Sequence, residues 1–259
     1  MRFMAVTLIV ISVLVAVSSL FSAEYMVRAT EKKLLEDYQA TLDFTADQIE
    51  DYVEEITRYC AMVAADSTIQ RLLVESDSFS ELDKVRYSVD IYRNLRYYEL
   101  LRDDCINIEL YLYNGNIFTS DSSNKNTLHS TGDTSWLDNA LVSGAAKVFS
   151  ESHGLRCRNI SYDNAVTYIC DMGNYNTNQE RIGKIFLHLK QDAFYSLLYK
   201  VDLKDAWCAI MNSRNEILAQ SGGINKDMES WLSRMGDTVP PSGTEKGKHG
   251  WIRCTSRLK

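Results

Sequence analysis

Between Met4 and Ala23 the chain carries no charged side chain, and its core, TLIVISVLVAVSSLF (residues 7–21), has no equal later in the sequence. Twenty helical residues rise about 30 Å, the thickness of a bilayer's hydrocarbon core. The apolar core of a cleaved secretory signal is shorter, about 7–15 residues, and small residues flank its cut. A cut after Ala23 puts Phe21 where a small residue is needed, and the better pair, Ala16 and Ser18, lies inside the apolar run. The pattern predicts an uncleaved anchor within residues 1–23, with a cleaved signal and a buried helix as the alternatives.

The pattern then changes to a seven-residue repeat. Leu35, Leu42, Ile49, Ile56 and Val63 recur every seventh position, with Tyr38, Thr45, Tyr52 and Tyr59 three behind, and neither Gly nor Pro occurs from Glu24 to Val63. That is a long helix with one apolar stripe. Two readings stand: the stripe packs on its own domain, or part of it meets a second copy in a homodimer. Asp66-Ser67-Thr68 and Ser78-Phe79-Ser80-Glu81 supply caps for two further helices, to Val74 and about Leu101.

After residue 105 the period falls to two. Ile106, Ile108, Leu110 and Leu112 alternate with other residues, and Asn114-Gly115 marks a hairpin. A short helix over SWLDNALVSG is followed by predicted strands near 147–151, 156–161, 165–172 and 182–189, then a helix at 191–200. WCAIMNSRNEIL reads as two more strands around Ser213-Arg214-Asn215, followed by a short helix near 226–235 and a polar end.

Composition narrows the function. The 28 basic and 35 acidic residues give a net charge of -7, which argues against a nucleic-acid surface. Arg2 alone precedes the apolar run while Arg28, Lys32 and Lys33 follow it, so the positive-inside count places the main domain in the cytoplasm. The cysteines point the other way. RCRNISYDNAVTYIC, folded about Asp163-Asn164, sets Cys157 opposite Cys170 at disulfide distance, which would place the domain outside the cytoplasm; two free thiols are the alternative. No CxxC pair occurs and only four histidines are present, so no metal site is expected. No nucleophile elbow, HExxH helix, Walker loop or dinucleotide fingerprint occurs, so neither enzyme nor cofactor is expected.

The anchor, IEDYVEEITRYCAMVAADSTIQRLL, INIELYLYNGNIFTS, SWLDNALVSGAAKVF, AVTYICDMGN with RIGKIFLHLKQDAFYSLL, and AIMNSRNEILAQS together resemble one family. It is the extracellular double Cache sensors of bacterial receptors, most of all those joined to LytS/YesM-type sensor histidine kinases or membrane-anchored AraC-type regulators. The resemblance implies an α+β fold with PAS-like antiparallel sheets. It divides the chain into an anchor (1–23), a long helix with a membrane-distal sensor domain (24–200) and a partial membrane-proximal domain (201–259). It also implies an extracellular main domain, a small-molecule ligand, and a second span with a cytoplasmic output domain in the longer receptor. It resolves the orientation conflict in favour of an external domain.

In such sensors the ligand faces the positions here held by Trp136 and by the Tyr168–Asp171 stretch. Tyr111 and Tyr113 alternate away from the aliphatic face of their strand and can join them. Plain core packing is the competing reading for Trp136 and Tyr168. Amino-acid-binding members carry an arginine just before the tryptophan, whereas STGDTSW has none, which puts that route to a ligand carboxylate in doubt. The function expected is ligand sensing by a membrane-bound signal-transduction receptor; the alternative is a partner-binding or structural envelope ectodomain.

Overall fold

The computed structural model describes residues 2–75, 80–121, 137, 146–173, 181–198, 208–212, 214, 216–221, 243–246 and 252–255. Its contacts cluster into two units, one of residues 1–47 with 240–259 and one of 48–239.

In the first unit, helix α1 (Arg2–Ala64) begins as the apolar run, long and apolar enough to cross a membrane. Ile9, Leu14, Leu20 and Phe21 are all exposed, as a lipid-facing span requires. Two short strands, Gly243–Lys246 and Ile252–Thr255, pair antiparallel within the polar C-terminal stretch, where the sequence predicted none.

The second unit holds the remainder of α1, then α2 (Ser67–Glu75) and α3 (Glu81–Leu100). Asp66 caps α2 by accepting the Thr68 and Ile69 N–H groups, each at 2.9 Å. Ser80 caps α3 through the Asp83 N–H at 3.3 Å. Six antiparallel strands follow: β1 (Cys105–Leu112), β2 (Ile117–Thr119), β3 (Lys147–Phe149), β4 (His153–Cys157), β5 (Ile160–Gly173) and β6 (Arg181–Lys190). The sheet order is β2-β1-β6-β5-β3, with β4 also on β5. At the Asn114-Gly115 hairpin Gly115 takes φ +86°, a conformation open to glycine at little cost.

The two faces of the sheet differ. Ile108, Leu110 and Leu112 of β1, Ile185, Leu187 and Leu189 of β6, and Tyr168, Cys170 and Met172 of β5 share one face. That face packs on Ile56, Tyr59, Cys60 and Val63 of α1 and on Ile91 and Leu95 of α3. The heptad stripe from Ile49 onward is therefore spent inside the domain, with Ile56 and Val63 almost wholly buried. Helix α4 (Asp192–Leu198) and the hairpin of β7 (Cys208–Met211) and β8 (Ile217–Ser221) extend this core through Phe194, Leu198, Ile210 and Leu218.

A clasp joins α1 to the corner between α3 and β1. Tyr52 donates to Asp104 at 2.6 Å, and Arg102 grips the same carboxylate at 2.8 and 2.9 Å while reaching Glu55 at 2.6 Å. Its guanidinium also lies 5.4 Å from the centre of the Tyr59 ring.

The expected Cys157–Cys170 bridge is corrected by the register. The chain reverses at Arg158–Asn159, both with positive φ, and not at Asp163-Asn164. Cys157 therefore pairs with Ile160, while Cys170 lies between Lys147 of β3 and Ile185 of β6. Both thiols are free and buried. Non-glycine residues rarely take positive φ, and a two-residue type I′ turn needs it twice. Here the Arg158 N–H donates to Asp121 at 2.9 Å and its guanidinium pairs with buried Glu99. These long-range contacts override the better local turn signal.

Candidate functional site

The face of the sheet turned away from α1 and α3 carries three cross-strand rows. The first is Tyr111 of β1, Lys184 of β6 and Asp171 of β5, with Ile117 of β2 beside Tyr111. The second is Glu109, Phe186, Ile169 and Val148. The third is Asn107, His188 and Thr167. Residues two apart on a strand share a face, so this arrangement follows from pairing register alone.

The rows differ in chemistry. In the first, Lys184 Nζ is 2.6 Å from Asp171 Oδ1. Arg181 reaches Asp171 Oδ2 at 3.0 Å, off the line of a hydrogen bond, so that contact is Coulombic. Apart from Glu109, the second row is an apolar floor. Val148, Ile169 and Phe186 form a cluster with Leu137, and Tyr111 stands edge-on to Phe186 at 6.5 Å between ring centres. Leu137 is the sequence neighbour of Trp136, which lies outside the described residues together with the rest of the predicted SWLDNALVSG helix.

The third row belongs to a buried polar chain. His153 Nδ1 is 2.9 Å from the Glu151 carbonyl, which can only accept, so this nitrogen carries a proton. Thr167 Oγ1 lies between His153 Nε2 at 3.1 Å and His188 Nδ1 at 2.7 Å. His188 Nε2 is 3.6 Å from Glu109 Oε2, and Glu109 Oε1 accepts from Asn107 at 2.9 Å. Asn107 Oδ1 in turn accepts from Ser120 at 2.6 Å and Thr119 at 3.1 Å.

Of the residues expected at a ligand site, the sheet brings Tyr111 and Asp171 onto this face. It sends Tyr168 to the other. There the Tyr168 hydroxyl is 2.9 Å from Thr57 Oγ1 on α1, and burial pushes it up to about 12. Tyr113 is exposed at the hairpin beyond β1. Lys184, Glu109, His188 and Thr167 were not anticipated. Each is a polar residue inside an apolar strand, in IELYL, GKIFLHL and AVTYIC, and reading the three strands as one face reveals them. Among the described residues no cluster of His, Cys, Asp or Glu could hold a metal ion.

No family model matches this chain, and no curated protein does. Solved structures do. The sensory domain of the Campylobacter jejuni chemoreceptor Tlp3 with isoleucine bound is 16% identical, with a TM-score of 0.52 over 82% of this chain and 78% of that one. The ligand-binding domain of the Pseudomonas aeruginosa amino-acid chemoreceptor PctC, in complex with GABA, is 10% identical, with a TM-score of 0.53 over 88% and 94%. That of Pseudomonas fluorescens CtaA with L-isoleucine is 11% identical, with a TM-score of 0.50 over 74% and 70%. The fold is that of chemoreceptor sensor domains. An α+β architecture of long helix and antiparallel sheets was the expectation, and it stands.

Proposed function

We propose that this chain is the extracytoplasmic ligand-sensing region of a membrane-anchored signalling receptor. One observation carries the reading: a sheet with the fold of chemoreceptor sensors presents, on the face opposite α1 and α3, an apolar floor between a charged row and a buried polar row. Small-ligand sites combine apolar walls with a few fixed polar groups in this way. Tyr111 and Asp171 belong to the site, with Trp136 supplied by the segment that contributes Leu137. The structural neighbours bind small amino compounds, which supports a ligand of similar size here.

The span of α1 holds the domain at the membrane, and ligand on the sheet shifts the balance between two packings of the sheet against α1. Only unequal affinity for the two packings shifts it. The output is a cytoplasmic histidine kinase or AraC-type module of the longer receptor. Leu35 and Leu42, outside the core that consumes Ile49, Ile56 and Val63, serve self-association of two copies in the membrane.

A solute screen on the full chain by thermal shift tests the reading. A ligand raises the melting temperature by mass action, and Tyr111→Ala or Trp136→Ala abolishes the rise. No rise with any metabolite, sugar or peptide would remove it. A second reading, a partner-binding ectodomain, is favoured by Leu82, Val85, Val89 and Leu100, which stand exposed along α3.

A further inference from the structure

We infer that the buried His153–Thr167–His188–Glu109 chain is an acid-released latch. It holds β4 on β5 while no more than one of its imidazoles is charged, and a second charge frees β4 at His153. Protons then act on the sheet as a stimulus separate from any ligand.

The latch spans four strands, with His153 on β4, Thr167 on β5, His188 on β6 and Glu109 on β1. Thr167 Oγ1 sits between the two rings, 3.1 Å from His153 Nε2 and 2.7 Å from His188 Nδ1, and the ring centres are 6.4 Å apart. A hydroxyl has one proton to give, so it can donate to one ring and accept from the other. If both rings are imidazolium, both present N–H groups to Thr167, and its own proton loses its acceptor in the chain. His188 is fully buried and His153 nearly so. Two like charges at this separation are then poorly screened.

The surrounding charges agree. Glu109 is 3.6 Å from His188 Nε2, and one carboxylate matches one imidazolium. Asn107, bonded to Glu109, is uncharged. On the connection from β3 to β4, His153 Nδ1 lies 3.2 Å from Ser150 Oγ and 2.9 Å from the Glu151 carbonyl. The Glu151 residue itself is part-exposed, so solvent screens its carboxylate. Lys190, two residues beyond His188, turns to the Asp103 carbonyl at 2.7 Å. Lys184 and Arg181, toward the other end of β6, stand on Asp171. Strand order decides which ring yields. His188 is on β6, between β1 and β5, whereas β4 pairs with β5 alone among the described strands and its register shifts between His153 and Leu155. The second charge is therefore relieved by His153 moving into water with the start of β4. The released form binds that proton more readily than the latched form, so the latch holds at neutral pH and weakens as pH falls.

The test is hydrogen exchange of the full chain in detergent, read by mass spectrometry from about pH 8 to about pH 5, where imidazoles ordinarily change charge. Rates are corrected for the intrinsic exchange at each pH. Peptides covering His153–Cys157 should lose about tenfold in protection across that range, the equivalent of a one-unit difference in proton affinity between the latched and released forms. Those from β1 and β6 should keep theirs. His153→Gln still offers an amide to Thr167 but takes up no proton, and should hold β4 protected throughout. Thr167→Val keeps the shape and removes the hydroxyl, and should leave β4 weakly protected at every pH. Constant protection of β4 in the unaltered chain overturns the inference, as does a loss shared equally by β1 and β6. An acid step that survives in His153→Gln, or a Thr167→Val profile like that of the unaltered chain, overturns it too. No ligand enters the measurement, so each of these outcomes leaves the sensing proposal where it stands.

Discussion

Tyr168 and Asp171 lie three residues apart on β5 and stand on opposite faces of the sheet. The Tyr168 hydroxyl meets Thr57 of α1 at 2.9 Å, and the Asp171 carboxylate meets Lys184 at 2.6 Å. One strand thus touches the helix that continues from the anchor and the face assigned to the ligand. Tyr168→Phe keeps the ring and removes only the hydrogen bond to α1. It should cost about 1 kcal/mol in chemical denaturation. Ligand affinity should stay within twofold, whereas Tyr111→Phe, on the other face, should lower it.

The thiols give a second test. Cys60, Cys105, Cys157 and Cys170 are buried, and burial pushes the Cys157 thiol up to about 12. Cys60, beside Cys170, is likewise pushed up, by that contact and by burial. Thiolates are the reactive form, so these groups should resist alkylation in the native protein and react on denaturation. Peptide mapping without reductant should find Cys157 and Cys170 unlinked. A linked pair would show that the Arg158–Asn159 register is wrong.

Much of the fold was legible because its signals are local. The α1 stripe, the Asn114-Gly115 turn and the strands of β1 and β6 all follow from periodicity and turn chemistry. The Arg158–Asn159 turn was not, because contacts to Asp121 and Glu99, distant in sequence, hold it. Half of the site was missed for a related reason. Tyr168 to Asp171 was read as one patch, although an odd spacing on a strand separates faces. Lys184 and His188 become site residues only once β6 is known to lie between β1 and β5. Strand order is a tertiary fact that no single strand encodes.

Gly183 marks where β6 passes closest to β1. A Cβ there would sit 2.3 Å from the Tyr111 carbonyl oxygen and 3.0 Å from Leu112 Cα, both backbone atoms that cannot swing aside. Gly183→Ala should cost about 1–3 kcal/mol and disturb the Tyr111–Lys184 pair. Thermal unfolding and ligand titration of that variant should both show the loss. Gly115→Ala, strained only by its φ, should cost about 1 kcal/mol and leave binding unchanged.

The clasp on α1 sets an acid limit. Burial raises the Asp104 carboxyl, but the hydrogen bonds from Arg102 and Tyr52 outweigh it and hold the group below its ordinary value. The folded state then binds this proton less readily than the unfolded state. Its contribution is full above the ordinary carboxylate range and is lost as pH falls through the folded value. Asp104→Asn should cost about 1–3 kcal/mol at neutral pH and flatten the acid limb of the stability curve. An unchanged acid limb would mean that Asp104 is not the group responsible.

The central claim is that ligand binds on the sheet face opposite α1 and α3. Isoleucine methyl NMR tests it most directly, because Ile117 and Ile169 lie on that face while Ile108 and Ile185 lie on the other. With the full chain in detergent, titration of a ligand from the screen should shift the Ile169 and Ile117 methyls most. The largest shifts at Ile108 and Ile185, with Ile169 silent, would contradict it.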